Sequence, residues 1–83
     1  MKYPGIIKVE DLEPEALARY RHFYGRFLHY RRVLPTSPIG TGNSWVAYET
    51  AIAEMNITDE ERLILKRLPL KETFPDVAEE YGY

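Results

Sequence analysis

Between Pro14 and Pro35 the chain runs for 20 residues without a proline, and its apolar side chains recur at helical spacing. At about 100° per residue, Leu12, Ala16, Leu17, Tyr20, Phe23, Tyr24, Phe27, Leu28, Tyr30 and Leu34 fall on one broad face. The pattern predicts a helix over about 14–34. Pro14 suits its first position, and Asp11, Glu13 and Glu15 complement the positive end of its dipole. Pro35 stops it, because the residue before a proline avoids helical angles. A chain of 83 residues is close to the smallest that folds on a hydrophobic core alone, so one long helix dominates what it can build.

Prolines, glycines and caps divide the remainder. Thr36 to Asn43 reads as a loop. Trp45, Tyr48, Ile52 and Met55 then recur on one stripe, which predicts a second helix over 44–56 with Asn43 or Ser44 as its cap. Thr58-Asp59-Glu60-Glu61 is a capping box that opens a third helix over 59–68, carrying Leu63, Ile64, Leu65 and Leu68, and Pro69 ends it. A short last helix over 75–81 has Thr73 as its expected cap and Pro75 near its first position. Its stripe is Phe74, Val77, Ala78 and Tyr81, and Gly82 is its stop. Residues 1–10 read as an arm in which Ile6-Ile7-Lys8-Val9 follows the Pro4-Gly5 turn and favours a short strand. A lone strand must lie along the helices, pair with a second copy, or pair with another protein. The expected architecture is one all-α domain, 1–83: a small four-helix bundle or orthogonal helical array with a short extended N-terminal arm.

Composition excludes several kinds of chemistry. The chain has no cysteine, which removes disulfide frameworks, zinc fingers, iron–sulfur clusters and thiol catalysis. His22 and His29 are seven residues apart, a helical rise of about 10.5 Å, too far to share one ion. No metal or cofactor is expected. The Gly-rich stretch Pro38 to Ser44 lacks the Gly-Lys-Ser/Thr of a phosphate-binding loop and reads as a connection plus a cap. Glu60-Glu61 and Glu79-Glu80 sit in a first turn and near a terminus, and no serine lies in a nucleophile-elbow pattern. The chain is therefore not expected to be an enzyme. No apolar stretch resembles a signal peptide or approaches the roughly 20 residues of a membrane span. The expected location is the cytoplasm, including a host cytoplasm if the protein is phage-encoded, with no membrane partner.

The net charge of −2 hides a segregation. From Glu15 to Leu34 five arginines face one acid; from Glu49 to Glu61 five acids face no base. Arg19, Arg21, Arg26 and Arg32, with His22 and His29, cover the polar arc of the first helix. One reading makes these four arginines phosphate contacts, since guanidinium groups match phosphate oxygens. The other makes them a solvated face, partly neutralised by the acidic half of the same chain. Arg31 projects inside the apolar arc between Phe27, Leu28 and Leu34, so it is expected either to pair with a carboxylate, Glu49 or Glu54 first by charge distribution, or to reach water.

Eleven aromatic residues are too many to bury fully in so short a chain. Tyr20, Phe23, Tyr24, Phe27, Trp45, Tyr48 and Phe74 are expected to form the core, and Tyr3, Tyr30, Tyr81 and Tyr83 to lie at the surface. The run from Ile57 to Leu68, followed by Phe74-Pro75-Asp76-Val77-Ala78-Glu79-Glu80-Tyr81-Gly82, looks like the front half of a helix-turn-helix. The helix that would read the major groove has no counterpart after Gly82, so packing is the expected use of these two helices.

Two functions are compatible with these residues. The first is a small non-enzymatic protein-interaction module, either a homo-oligomer or an accessory or inhibitor subunit of a larger complex. Its expected contact residues are Ile6, Ile7, Val9, Tyr30, Tyr81 and Tyr83. The second is a nucleic-acid-binding protein using Arg19, Arg21, Arg26 and Arg32.

Overall fold

Five α-helices follow one another in the computed structural model, which describes residues 7–34 and 44–83. They are α1 (Pro14–Val33), α2 (Ser44–Glu54), α3 (Asp59–Arg67), α4 (Leu70–Thr73) and α5 (Pro75–Glu80). A single 3-10 turn, Val9–Asp11, precedes α1. No strand occurs among the described residues, so this part of the chain is all-α. The first six residues, the connection over 35–43 and the side chains expected to cap α2 lie outside the description.

The strand expected from Ile6 to Val9 is not formed by its described part. Ile7 is 5% exposed, and its N–H donates to the Arg67 carbonyl at 2.9 Å, at the end of α3. Ile7 thus lies against this chain's own helices. Val9 already belongs to the 3-10 turn, because the Asp11 carboxylate accepts from the Lys8 N–H at 3.0 Å and closes that turn locally.

Helix ends follow their capping chemistry. Leu34 has ψ 145, extended as a residue before proline must be. Asn56 adopts φ 53, and the N–H groups of Asn56 and Ile57 return to the carbonyls of Ala53 and Ile52. This is a Schellman turn with asparagine in the left-handed position, and it ends α2 at Glu54, two residues before the expected stop. Thr58 and Glu61 form the reciprocal capping box, with bonds of 3.1 and 3.0 Å. Gly82, at φ 81, makes a second Schellman turn, in which the Tyr83 N–H reaches the Ala78 carbonyl at 2.8 Å.

One helix was not expected. After Pro69 the chain makes one further turn, α4, and Thr73 lies inside it rather than capping α5. Phe74 takes the cap position; its side chain has no acceptor to offer, and its ring is buried in the core. The motif that resembled half a helix-turn-helix therefore contains an extra turn between its two helices.

The core gathers around the middle of α1. Phe23 and Leu28 are its largest fully buried side chains. α2 lies along α1, with Ala47 and Ala51 completely buried between them. Small side chains there allow close approach, and Tyr48 meets the rings of Phe23 and Phe27 edge-on at 5.3 and 5.7 Å. α5 covers α1 through Val77 and Ala78, and Phe74 lies 6.5 Å from Tyr24. Ile57, Ile64, Leu65 and Leu68 complete the cluster.

Trp45 corrects the expected aromatic core: it is 65% exposed. The buried face of α2 is Ala47, Tyr48, Ala51, Ile52 and Met55, and Trp45 lies roughly 90° around the helix from its centre. Leu63 of α3 also faces outward. Tyr20, Phe23, Tyr24 and Phe74 are buried as expected, with Phe27 and Tyr48 half-buried.

The packing ranks two substitutions. Phe23→Ala removes a fully buried ring and is expected to lower unfolding stability by about 4 kcal/mol. Thr58→Ala removes one exposed cap and is expected to cost about 1 kcal/mol. Urea titrations of both variants check the order, and equal losses would contradict the assigned core.

Candidate functional site

The arginine face of α1 is the most chemically distinctive surface in the sequence, and the rest of the chain folds back onto it. Arg19 Nε donates to Glu61 Oε2 at 2.6 Å, and its Nη2 donates to Glu61 Oε1 at 3.1 Å and to the Met55 carbonyl at 2.9 Å. One guanidinium thus holds the first turn of α3 and the carbonyl end of α2 together, where a cation is favoured by the helix dipole. Arg21 pairs with Asp76 in the first turn of α5. Arg26 Nε donates to Glu54 Oε1 at 2.8 Å, and the Tyr30 hydroxyl donates to the same carboxylate while accepting from Arg26 Nη2. Arg32 Nη2 donates to the Tyr81 carbonyl at 2.9 Å, with its guanidinium 5.1 Å from the centre of the Tyr81 ring.

For Arg31, the two acids favoured by charge distribution are engaged by other arginines, Glu54 by Arg26 and Glu49 by Arg62. The Arg31 guanidinium lies 4.8 Å from the centre of the Tyr83 ring and 5.8 Å from that of Phe27. Two adjacent arginines therefore stack on the two tyrosines that close the chain, and α1 anchors the residues after α5.

These contacts set the protonation behaviour. Hydrogen bonds from Arg19, Arg26, Arg62 and Arg21 hold the carboxyls of Glu61, Glu54, Glu49 and Asp76 below the usual range. The same bonds raise Arg19, Arg26 and Arg62. Burial, the largest influence on each, raises the Tyr24 and Tyr48 hydroxyls.

The residues expected to contact a partner differ in their exposure. Ile6 lies outside the described residues, and Ile7 is enclosed by this chain. Val9 is exposed. Tyr30 is half-buried over Glu54, Tyr81 is half-buried beneath Arg32, and Tyr83 is exposed over Arg31. The outward apolar residues that the sequence reading did not select are Trp45, Val33 and Leu63. For Trp45 a signal was present: Ala47 and Ala51, one turn apart, mark the side of α2 that lies closest to a neighbour.

Among the described residues, no three His, Asp or Glu side chains gather to hold a metal ion, and no helix is long and apolar enough to cross a membrane. No family model matches this chain, and neither does any curated protein or solved structure.

Acid should loosen this network. Each of the four carboxyls has a lower pKa folded than unfolded, so its contribution is complete above the unfolded carboxylate range of about pH 4. That contribution is lost as pH falls through the lower folded values. The urea midpoint is expected to hold between neutral and mildly acidic pH and then to fall. Arg19→Ala should remove about 1 kcal/mol at neutral pH, because its partner Glu61 is mostly covered. Arg21→Ala, in a pair that is half exposed on both sides, should leave the midpoint unchanged. Equal effects of the two would contradict the ranking by burial.

Proposed function

We propose that this chain is a small non-enzymatic protein-binding module of the cytoplasm that acts first by self-association, with service as an accessory subunit as the related role. In this reading α1, α2 and α3 form a small helical bundle whose fourth member is α4 with α5. The observation that supports the reading is Trp45. Tryptophan is among the residues most enriched at the centres of protein interfaces, and here it stands largely in solvent on a helix whose other side is tightly packed. The arginines weigh against the nucleic-acid reading. Arg19, Arg21 and Arg26 each pair with a carboxylate of this chain, so the face has little of the net positive charge on which binding to a phosphate backbone depends.

Trp45 is the one tryptophan in the sequence, so it reports directly on the test. Its emission is expected to shift to shorter wavelength as protein concentration rises, in step with a mass increase in sedimentation equilibrium. Trp45→Gln should abolish that increase and leave the thermal midpoint in place, since the side chain contributes little to the core. A chain that sediments as a monomer at every concentration, with water-exposed emission throughout, would end the self-association reading.

A further inference from the structure

A second surface has a lining that does not include Trp45. Between α1 and α5 lies an open cleft of about 360 Å³, at the small end of ligand pockets, which span roughly 300–1,000 Å³. Its apolar part is Ala18, Gly25 and Val77. Gly25 sits in the middle of a 20-residue helix, where glycine is the poorest helix former after proline. Close packing does not require it. A Cβ built there would stand 3.9 Å from Val77 Cγ1, an ordinary contact, so alanine would fit and would fill part of the cleft. The chain thus keeps a locally unfavourable residue whose visible effect is to leave this space open.

The polar groups around the space are sorted by sign. α1 supplies Arg21, His22 and Arg26; the other side supplies Glu80 and the Tyr81 ring. The two arginines pair with Asp76 and Glu54 through Nη2 of Arg21 and through Nε and Nη2 of Arg26. Those bonds leave Nη1 of each guanidinium out of the pairing. With Asp76 and Glu54 counted, the surroundings hold no excess of positive charge, so a bare anion gains little from the overall field. A ligand that brings both signs matches both sides.

We infer that this cleft binds a small zwitterion with an apolar side chain, of the apolar α-amino-acid class. Its carboxylate meets Arg21, His22 and Arg26, its ammonium meets Glu80, and its side chain lies over Gly25 and Val77. The site is separate from Trp45, and the two proposals fail independently.

The test is a titration of the isotopically labelled full chain with leucine and with phenylalanine, followed by NMR. The expected result is a saturable shift of the Gly25 amide and the Arg21 and Arg26 side-chain resonances, with the Trp45 indole unmoved. The N-acetyl and the amide derivatives, each missing one charge, should bind at least about tenfold more weakly. Gly25→Ala should raise the thermal midpoint while weakening binding by about the same factor, which separates loss of the space from loss of the fold. Glu80→Gln should weaken the amino acid and leave the N-acetyl derivative unaffected. Absence of any saturable shift would overturn the proposal. So would N-acetyl derivatives that bind as well as the amino acids, which would mark a plain anion site. Full binding by the Gly25→Ala chain would overturn it as well.

Discussion

The structure depends on covering the middle of α1. Phe23 and Leu28 lie on that helix with essentially no exposure, and no single neighbour is large enough to hide them. α2 covers one flank at close range because Ala47 and Ala51 face it, and α5 covers another through Val77 and Ala78. In so small a chain the helices after α1 are too short to be stable alone, since isolated helices under roughly 12–15 residues are marginal in water. Their order comes from docking on α1, and the 20-residue length of that helix provides the surface they need.

The arginines extend the same dependence to the polar side. Three of the short helices meet an arginine of α1 with an acid in a terminal turn. Asp76 in the first turn of α5 takes Arg21, Glu61 in the first turn of α3 takes Arg19, and Glu54 at the last residue of α2 takes Arg26. Single exposed pairs of this kind contribute little. Their placement matters more than their strength, because each connects α1 to a different element and disfavours a helix docked in the wrong register. The charge segregation along the sequence is the linear trace of this arrangement: one cationic helix meets acids held by elements that follow it.

Much of this was legible beforehand, and the gaps have identifiable causes. Signals that act within a few residues were readable: Pro14 at the start of α1, Pro35 after Leu34, the Thr58–Glu61 box and Gly82 all lie where local chemistry places them. The all-α class followed from them. Where a choice depended on distant packing, local reading failed. Thr73 is a good cap by type, but burying Phe74 placed the cap position one residue later. Trp45 shares a spacing with Tyr48 and Ile52, yet only the close approach to α1 decides that the two alanines face inward and the largest side chain outward. The arginine face was visible as a pattern. Its pairing was not, because Arg19 and Glu61 are 42 positions apart and their meeting needs the whole fold.

Arg31 shows how aromatic rings help to place a cation inside an apolar arc. The flat guanidinium is weakly hydrated, and its faces stack on π-systems. Tyr83 supplies such a ring, and it can do so only because Gly82 turns the backbone back toward α1. Arg32 and Tyr81 repeat the contact, one residue later on α1 and two residues earlier after α5. The Tyr-Gly-Tyr sequence is therefore best understood as a clasp: two rings separated by a residue free to adopt a left-handed turn, closing on two consecutive arginines. Arg31 and Arg32 are thereby engaged within the chain, by the Tyr83 ring and by the ring and carbonyl of Tyr81.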